Sequence, residues 1–363
     1  MNGRQSSPLT EALAKVAPGQ PLREGLDRVL RARRGALVVV GDDPSVLAIC
    51  SGGFLLDTEF SPQRLSELAK MDGAIVLTSD ALRIARANVH LMPKASIPTT
   101  ETGTRHRTAQ RVARSLDVPV LSVSAAMSVI AVYRNELKHT IQPIGWLHDR
   151  TDQALATMQR FRNRFDVAVS GLSVLEIEDT VSVGDVVGVV QAAEMVLRIA
   201  EEVDGYLVEL GEDGRLVGLQ LAEMVDGVEP TLNLVVRDYC GVAPVGTEAR
   251  KVAVAGVMRR LAGLSSEECR DERRVAEVIG LPSLFQDAES GVEPRGYRVL
   301  YRLPRLSDTI IERIVERFVN LQQIMRASLG ELEQVEGVGR ARAHSLKDGL
   351  ARMAETSIFE RYQ

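Results

Sequence analysis

Apolar side chains near the start of the chain follow first a helical and then an extended pattern. Leu22, Leu26 and Leu30 recur at four-residue steps, which predicts an amphipathic helix that we expect to end at Gly35. The unbroken aliphatic run Ala36–Val40 follows and stops at a Gly-Asp-Asp-Pro turn. A run of this kind predicts a buried strand.

Strands and helices then alternate up to about residue 146. We predict that residues 46–50 form the hairpin partner of the first strand and that Ser61-Pro62 begins a helix. Another helix is predicted from Thr104 to Leu116, and further strands at residues 75–77, 89–92, 118–123 and 128–133. This alternation predicts an α/β domain with a mixed sheet over residues 1–146.

Helical spacing alone continues through the middle of the chain. Met158, Phe161 and Phe165 recur at three- and four-residue steps, and a charged helical stretch follows at residues 248–279. The most apolar segment, residues 181–203, contains Asp185 and Glu194 and is too polar to cross a membrane, so it predicts a buried helix. We therefore expect an all-helical linker domain over residues 147–293.

A glycine-rich segment marks the last region, residues 294–363, which we expect to begin with a linker at residues 294–301. The sequence Val335-Glu336-Gly337-Val338-Gly339, ahead of a helix that starts near Arg340, predicts a helix-hairpin-helix domain. Glycines allow positive φ and a close approach to a phosphodiester, and the amides of a helix start bind phosphate. The alternative is a glycine turn that only packs two helices. The candidate DNA-binding residues are Gly337, Val338, Gly339, Arg340, Arg342 and Lys347.

A single hairpin of this kind contacts few phosphates, so its affinity should be weak and sensitive to salt. The segment Leu303–Phe318, whose helix has Ile310 and Ile314 on its inner face, could be a degenerate first hairpin that mainly packs. Useful DNA binding would then require several copies of the chain, which predicts an oligomer.

Composition narrows the class of protein. The 363 residues are 45% hydrophobic and carry a formal net charge of −5, which excludes a disordered chain and a uniformly basic nucleic-acid coat. Cys50, Cys240 and Cys269 are too far apart in sequence to predict a disulfide framework or a structural zinc site. The N-terminus has no apolar signal segment, and we expect a cytoplasmic protein, partly associated with DNA and without a membrane anchor.

A charged loop begins the helix at Thr104. The segment Glu101–Ala109 reads Glu-Thr-Gly-Thr-Arg-His-Arg-Thr-Ala. The first turn of a helix has free amides and a partial positive charge, so it favours an anion. Arg105, His106 and Arg107 add cations there without a carboxylate in the turn, which predicts a polyphosphate site. The alternative is an arginine-rich surface that only faces solvent.

A carboxylate precedes one of the predicted strands. Asp72 begins the sequence Asp72-Gly73-Ala74, and Asp-Gly by itself is a common turn. Beside a bound triphosphate, however, the Asp72 carboxylate could hold a divalent metal ion or take a proton from a hydroxyl. The chain has no Gly-x-x-x-x-Gly-Lys-Ser/Thr loop, which excludes a P-loop nucleotidase.

Together these residues resemble the diadenylate cyclase family. Asp72-Gly73-Ala74 and the segment Gly103–Ala109 are similar to its two signatures, and with the C-terminal hairpin the whole chain resembles the bacterial DNA integrity scanning group. The resemblance implies an α/β cyclase domain, a helical linker and a helix-hairpin-helix domain. One departure is Ala125-Ala126-Met127, where family members carry basic residues after the serine that matches Ser124.

The resemblance implies that two ATP molecules condense to cyclic di-AMP and two pyrophosphates, with Mg²⁺ or Mn²⁺ as the metal ion. Asp72 is implied as a metal ligand or as the group that activates the 3′-hydroxyl, and Arg105, His106 and Arg107 are implied as catalytic. The implied nucleotide-binding residues are Asp72, Gly73, Ala74, Leu91, Gly103, Thr104, Arg105, His106, Arg107, Thr108 and Ser124.

The resemblance also implies partners. They are branched or junction DNA, which binds the C-terminal domain and suppresses synthesis, and further copies of the chain in an octamer built from face-to-face cyclase dimers. Two alternatives use the same motifs. A nucleotide-sensing DNA-junction binding protein would bind ATP without turnover, and a nucleotidyltransferase or phosphodiesterase acting on DNA ends would form product only with DNA present.

Overall fold

The structure is a computed structural model that describes residues 8–241, 247–281 and 290–360. The chain divides into two compact units, residues 1–153 with 203–220 and residues 154–202 with 221–363. The predicted three-domain division at residues 146 and 293 does not coincide with these units and stays a prediction.

A mixed sheet is the centre of the first unit. Its strands among the described residues are β1 (Ala36–Val40), β2 (Cys50–Ser51), β3 (Phe54–Glu59), β4 (Ala74–Leu77), β5 (Arg83–Leu91), β6 (Val120–Ser124), β7 (Val129–Arg134) and β8 (Leu137–Thr140). The order is β2-β5-β4-β1-β6-β7-β8, and β3 also pairs with β5. β1 and β4 are parallel, whereas the other pairs are antiparallel, so the predicted mixed α/β sheet is confirmed.

Helices cover both faces of this sheet. They are α1 (Pro8–Ala14), α2 (Pro21–Arg31), α3 (Pro44–Ala48), α4 (Pro62–Leu68) and α5 (Thr104–Leu116). Val38 and Val40 of β1 pack with α1, α2 and α4, whereas Leu37 and Val39 pack with α3 and α5. Because both faces of β1 are buried, its sequence is continuously apolar rather than alternating.

The second unit is helical. The remaining helices are α6 (Ile144–Glu178), α7 (Val183–Leu210), α8 (Arg215–Val225), α9 (Val228–Tyr239), α10 (Thr247–Ala262), α11 (Glu272–Ile279), α12 (Tyr297–Tyr301), α13 (Asp308–Phe318), α14 (Leu321–Arg326), α15 (Leu329–Glu333) and α16 (Arg340–Glu360), with 3₁₀ turns at Gly211–Gly214 and Glu268–Arg270. The long helices α6 and α7 contribute to both units. The predicted helical linker region is confirmed. Across the described parts of the chain, no helix is both long and apolar enough to span a bilayer.

One backbone arrangement occurs twice near the C-terminus. A five-residue helix, a hairpin and a longer helix form first α12, residues 302–307 and α13, and then α15, residues 334–339 and α16. Each position of the second copy lies 32 residues after its counterpart, as with 297 and 329 or 308 and 340. Each hairpin also has one left-handed residue at the same place, Arg305 (φ 68°) and Gly337 (φ 90°). We call residues 302–307 the first hairpin and residues 334–339 the second hairpin.

Two predicted features of the first unit are wrong. Residues 46–50 do not pair with β1, because Pro44 begins α3 and Val46 packs against α5 instead. Gly35 does not end α2, which stops at Arg31, and the left-handed residue is Arg33 (φ 53°). Strands β3 and β8 were not predicted. The apolar run of β3 is only three residues long, Phe54-Leu55-Leu56, and most side chains of both strands are exposed.

The predicted linker at residues 294–301 is also wrong. Its second half is α12, whose Tyr297 and Leu300 are buried in the C-terminal core. The Asp238 carboxylate on α9 accepts hydrogen bonds from the backbone N–H groups of Gly296 (2.7 Å), Tyr297 (2.7 Å) and Arg298 (2.9 Å). These bonds supply acceptors for the first amides of α12, which have no partner inside the helix.

Candidate functional site

Four strand ends meet at one edge of the sheet. β1 runs parallel to β4 and antiparallel to β5 and β6, so the starts of β1 and β4 lie beside the ends of β5 and β6. Asp72 lies just before β4, Leu91 ends β5 and Ser124 ends β6. The sheet therefore gathers residues from three separate segments of the chain.

An ion pair joins this edge to the start of α5. The Nη2 atom of Arg105 lies 2.6 Å from Oδ1 of Asp72. The Asp72 side chain is 94% exposed and that of Arg105 is 43% exposed. An exposed pair of this kind adds little to stability, so both side chains remain available to a ligand. The two signatures quoted from the sequence are thus in direct contact.

Gly35 supports the same guanidinium. A Cβ atom at Gly35 would lie 2.6 Å from Nη1 of Arg105, so the arginine side chain lies directly over this backbone. The register that pairs Ala36 with Val123 places Ser124 opposite Gly35. Sequence reasoning missed Gly35 as a site residue because it resembled a helix-ending glycine. The tight approach of a side chain from another element leaves no local signal.

Gly73 is required by the packing of the strands. A Cβ atom there would lie 2.4 Å from Cα of Asn88, a residue of β5 with a left-handed backbone (φ 56°). Any larger residue would push β5 away from Asp72. Ala74, the first residue of β4, is buried beneath this contact. The close approach of a nucleotide to Gly73 stays a prediction.

The start of α5 has free hydrogen-bond donors, and its first turn contains no acidic residue. Gly103 is the N-cap, no acidic residue lies in the first turn, and the first amide bonded within the helix is that of Arg107, to the Gly103 carbonyl oxygen (2.8 Å). The amides of residues 104–106 therefore have no partner inside the helix. Thr104, Arg105 and Arg107 are exposed, and Thr108 is half-buried. This turn can bind an anion through its backbone and its side chains.

His106 differs from its neighbours because it faces inward. It is only 6% exposed, and its Nδ1 atom lies 2.8 Å from the Tyr133 hydroxyl. Burial lowers the pKa of His106, although the Glu101 carboxylate opposes this. The ring is therefore neutral near pH 7. The predicted contact of His106 with phosphate is not part of this arrangement and stays a prediction.

Glu101 and Tyr133 fix the orientation of that ring. Burial raises the pKa of the Tyr133 hydroxyl, and its hydrogen bond to the Glu101 carboxylate raises it further. Partial burial alone would raise the pKa of Glu101, but the Lys138 ammonium at 2.7 Å and the Tyr133 hydroxyl lower it. If Tyr133 donates its proton to Glu101, its oxygen accepts from Nδ1–H of His106. Nε2 then carries no proton, and it has no hydrogen-bond partner among the described residues.

Leu91 and Ser124 lie at the same sheet edge. Leu91 is half-buried and pairs with Cys50, and the antiparallel register of Ala74 with Val89 directs it towards Asp72. The Ser124 hydroxyl accepts a hydrogen bond from the Met127 N–H (3.3 Å). The predicted nucleotide-binding role of both residues stays a prediction.

A metal ion would have one protein carboxylate here. Within the described residues, no group of three or more His, Cys, Asp or Glu side chains could hold a metal ion. Asp72 alone fits Mg²⁺ or Mn²⁺ of the kind that binds through one carboxylate and the phosphates of a nucleotide.

The candidate DNA-binding residues lie in the second unit, around the second hairpin. Gly337 is left-handed, and its carbonyl oxygen accepts a hydrogen bond from Nη1 of Arg342 (2.7 Å). Arg340 is the first residue of α16, beside the exposed Gly339. Two of the candidate residues have their side chains engaged within the protein, and their DNA-binding role stays a prediction. Val338 is buried in the C-terminal core, and the Lys347 ammonium donates to the Met325 carbonyl oxygen (2.8 Å).

Comparison with known proteins identifies the family. Residues 23–137 match the family model described as DisA bacterial checkpoint controller nucleotide-binding, and residues 141–287 match that of the DisA bacterial checkpoint controller linker region. The DNA integrity scanning protein DisA of Acidothermus cellulolyticus is 50% identical over 98% of this chain and 95% of its own length. The chain belongs to the DisA family. The DisA protein of Kineococcus radiotolerans is 49% identical, over 98% of this chain and 97% of that protein.

Two solved structures share less with this DisA family member. DacA from Staphylococcus aureus is 20% identical with a TM-score of 0.28, and the match covers 39% of this chain and 91% of that one. A hypothetical membrane spanning protein from Bacillus cereus is 24% identical with a TM-score of 0.30, over 34% and 62% of the two chains. The family assignment rests on the relatives that match along the whole chain.

Membership in the DisA family confirms the resemblance seen in the sequence, and with it the enzyme class, a diadenylate cyclase. Both signatures, Asp72–Ala74 and Gly103–Ala109, lie within the nucleotide-binding match. So do Gly35, Glu101 and Tyr133, which the signatures do not contain.

Proposed function

We propose that the chain condenses two ATP molecules into cyclic di-AMP and two pyrophosphates, and that its C-terminal region binds branched DNA and regulates this synthesis. The observation that supports the reaction is the contact of Asp72 with Arg105 (2.6 Å), because it joins an exposed carboxylate to a phosphate-binding helix start. Cyclic di-AMP synthesis needs both, a group that acts on the 3′-hydroxyl and cations around the α-phosphate.

The first turn of α5 binds the phosphates in this proposal. Thr104, Arg105, Arg107 and Thr108, with the free amides of the turn, contact the triphosphate. They stabilise the negative charge that develops on the α-phosphate and on the departing pyrophosphate. Ser124 adds a hydroxyl, and Leu91 contacts the adenine.

Asp72 acts on the attacking hydroxyl. It accepts the proton of the 3′-hydroxyl or holds Mg²⁺ or Mn²⁺ beside the phosphates. When bound, such an ion would neutralise phosphate charge and orient the triphosphate. Gly73 keeps β5 and β4 close enough to hold this carboxylate in place.

One site binds one ATP, so two chains must present their nucleotides to each other. We propose a face-to-face dimer in which each 3′-hydroxyl attacks the α-phosphate of the other ATP. Such dimers assemble into an octamer of eight chains in the cytoplasm, partly on DNA. An oligomer also multiplies the weak affinity of a single hairpin for DNA.

The product assay tests the reaction. The purified protein is incubated with ATP and Mg²⁺ or Mn²⁺ without DNA, and the products are identified by mass. We expect cyclic di-AMP and pyrophosphate, and a loss of about a hundredfold or more in Asp72→Asn, as for removal of a general base. ATP binding should largely persist in this variant because the phosphate contacts lie on α5. If ATP remained unchanged with either ion, while the protein still bound DNA in a separate binding assay, the result would instead favour a nucleotide-sensing junction binder.

Gly337→Asp tests the DNA-binding region. The left-handed backbone and the added charge should both weaken binding to branched DNA, without loss of cyclase activity when DNA is absent. Gly330→Asp is a matched control, since it adds the same charge in α15 where nothing lies within 4 Å of the new Cβ. Equal losses in both variants would show that charge alone acts and that the second hairpin has no special role.

A further inference from the structure

A cavity of about 600 Å³ lies in the C-terminal part of the second unit, between the first hairpin and the start of α16. It is within the range of about 300–1,000 Å³ typical of small-molecule sites. None of the roles proposed above uses it as a pocket, and its side chains have two distinct characters.

The wall of the cavity is apolar. Leu303 and Leu346 are buried at its base, and Pro304 and the half-buried Leu306 lie beside them. The Ser345 side chain, half-buried on α16, also lines it. A surface of this kind accepts a flat, weakly polar group, with one hydroxyl available for a hydrogen bond.

The rim of the cavity is cationic. Arg305, Arg340 and Arg342 line it and are exposed, and none of its lining residues is acidic. Arg340 and Arg342 belong to the first turn of α16, where the helix start adds a partial positive charge. An apolar wall with three arginines at its edge fits a ligand that has a flat ring system and a phosphate.

Arg305 differs from its counterpart in the second hairpin. It has φ 68°, the conformation that its counterpart Gly337 adopts without a side chain. A non-glycine residue is disfavoured there, and strained residues of this kind concentrate at functional sites. The first hairpin thus retains a long cation at the cavity where glycine would relieve the strain.

We infer that this cavity accepts one unpaired nucleotide of branched DNA, with its base against the apolar wall and its phosphate at the arginine rim. A paired base cannot enter, because it must first leave the helical stack. Phosphate contacts at the hairpins do not distinguish one duplex from another. The cavity therefore gives the protein a way to select branched over uninterrupted DNA. This inference rests on the proposed DNA-binding function.

Fluorescence anisotropy on the full-length protein tests the inference with three DNAs. They are a blunt duplex, the same duplex with one bulged nucleotide, and the same bulge with an abasic site. Wild type should prefer the bulged nucleotide over the duplex by about tenfold, in line with the energy of stacking one base. The abasic bulge should bind like the duplex.

Two variants address the cavity itself. Ser345→Phe should fill it and abolish the preference while duplex affinity is unchanged, whereas Ser345→Ala keeps the volume and should keep most of the preference. Arg305→Gly should reduce the preference without destabilising the fold, because it relieves the left-handed strain. This second variant keeps the test valid if the larger side chain at position 345 disturbs α16.

Each remaining outcome has a definite meaning. A loss of affinity for all three DNAs in Ser345→Phe, or full binding of the abasic bulge, would overturn the inference. The inference would also be overturned if free dAMP bound wild type but not Ser345→Phe and wild type showed no preference between the DNAs. The cavity would then bind free nucleotides rather than a nucleotide of DNA. If Gly337→Asp keeps full duplex affinity, the proposed second-hairpin function fails, whatever the result at position 345.

Discussion

His106 shows that a row of residues in the sequence is not a row in space. The sequence places it between two arginines, and all three were expected to contact phosphate. An α-helix turns by about 100° per residue, so adjacent side chains point in different directions. Arg105 and Arg107 are exposed, whereas His106 points into the protein and contacts Tyr133. Its surroundings indicate that it positions the first turn of α5.

Two substitutions distinguish the roles of the two ring nitrogens of His106. The side-chain nitrogen of Asn can occupy the place of Nδ1 and donate to Tyr133, whereas Gln reaches only the place of Nε2. We expect His106→Asn to keep a KM for ATP close to that of wild type. His106→Gln and Tyr133→Phe should both raise KM several-fold with little change in kcat, the pattern of lost substrate binding. Steady-state kinetics on the purified variants measure this.

The reverse result would assign His106 to the chemistry. If His106→Gln kept activity and His106→Asn lost kcat at constant KM, Nε2 would act on the reacting groups. A double-mutant cycle adds a control: Tyr133→Phe should add little to His106→Gln, because both remove the same hydrogen bond.

At the scale of elements, the sequence correctly predicts those helices and strands that are determined by residues close together in the chain. β1 and β4 are aliphatic runs, and α4 begins at Pro62, after the predicted N-cap Ser61, whose hydroxyl accepts a hydrogen bond from the Arg64 N–H. α3 was misread because Asp-Pro is a signal for both a turn and a helix start. α12 was missed because its first amides are bonded to Asp238, 58 residues earlier. No local pattern contains that partner.

The site follows the same division. The signatures carry Asp72 and the start of α5, so the two segments that the Asp72–Arg105 ion pair joins could be singled out from the sequence. Gly35, Glu101 and Tyr133 could not, because each acts through a contact with a residue distant in sequence. Gly73 was predicted as a nucleotide-binding residue, and the structure supplies a packing reason for a glycine there, the close approach of β5.

A buried ionic cluster connects α6, α9 and α12 within the second unit. Nε of Arg298 lies 2.9 Å from Oε1 of Glu176, and the Tyr239 hydroxyl donates to the same oxygen (3.0 Å). Glu176 is only 1% exposed, and its Oε2 has no hydrogen-bond partner among the described residues. Burial raises the pKa of Glu176 to about 7, even though Arg298 lowers it.

This cluster predicts a pH dependence of stability. A carboxyl whose pKa is raised from 4.5 to about 7 on folding stabilises the native state at low pH, and that contribution is lost as pH rises through this window. Relative to Glu176→Gln, the free energy of unfolding of wild type should fall by up to about 3 kcal/mol between these values. Chemical denaturation at a series of pH values measures it. Glu223→Gln, at an exposed site on α8, is the control, and its free energy of unfolding should follow that of wild type at every pH. The prediction would be contradicted if wild type and Glu176→Gln showed the same dependence of this free energy on pH.

At the scale of the whole molecule, the proposed dimer makes a prediction about mixed assemblies. In the proposed dimer each chain would activate its own 3′-hydroxyl through Asp72, so a dimer of wild type with Asp72→Asn should form only one of the two phosphodiester bonds. Co-expressed and co-purified mixtures should therefore release the linear dinucleotide pppApA, which mass analysis distinguishes from the cyclic product. Cyclic product that falls only in proportion to the wild-type fraction, with no linear product, would contradict a face-to-face dimer.

The hydrogen bonds between the Asp238 carboxylate on α9 and the first amides of α12 affect how the chain can be divided into fragments. A fragment that begins at residue 294 would lack the Asp238 carboxylate, which accepts hydrogen bonds from three of its backbone amides. It would also lack Glu176, the ion-pair partner of Arg298. The severed fragment would expose an unpaired guanidinium and a frayed helix next to the first hairpin. Expression of residues 294–363 as a separate fragment would thus damage the region that such an experiment sets out to isolate. Point substitutions in the intact chain avoid this loss.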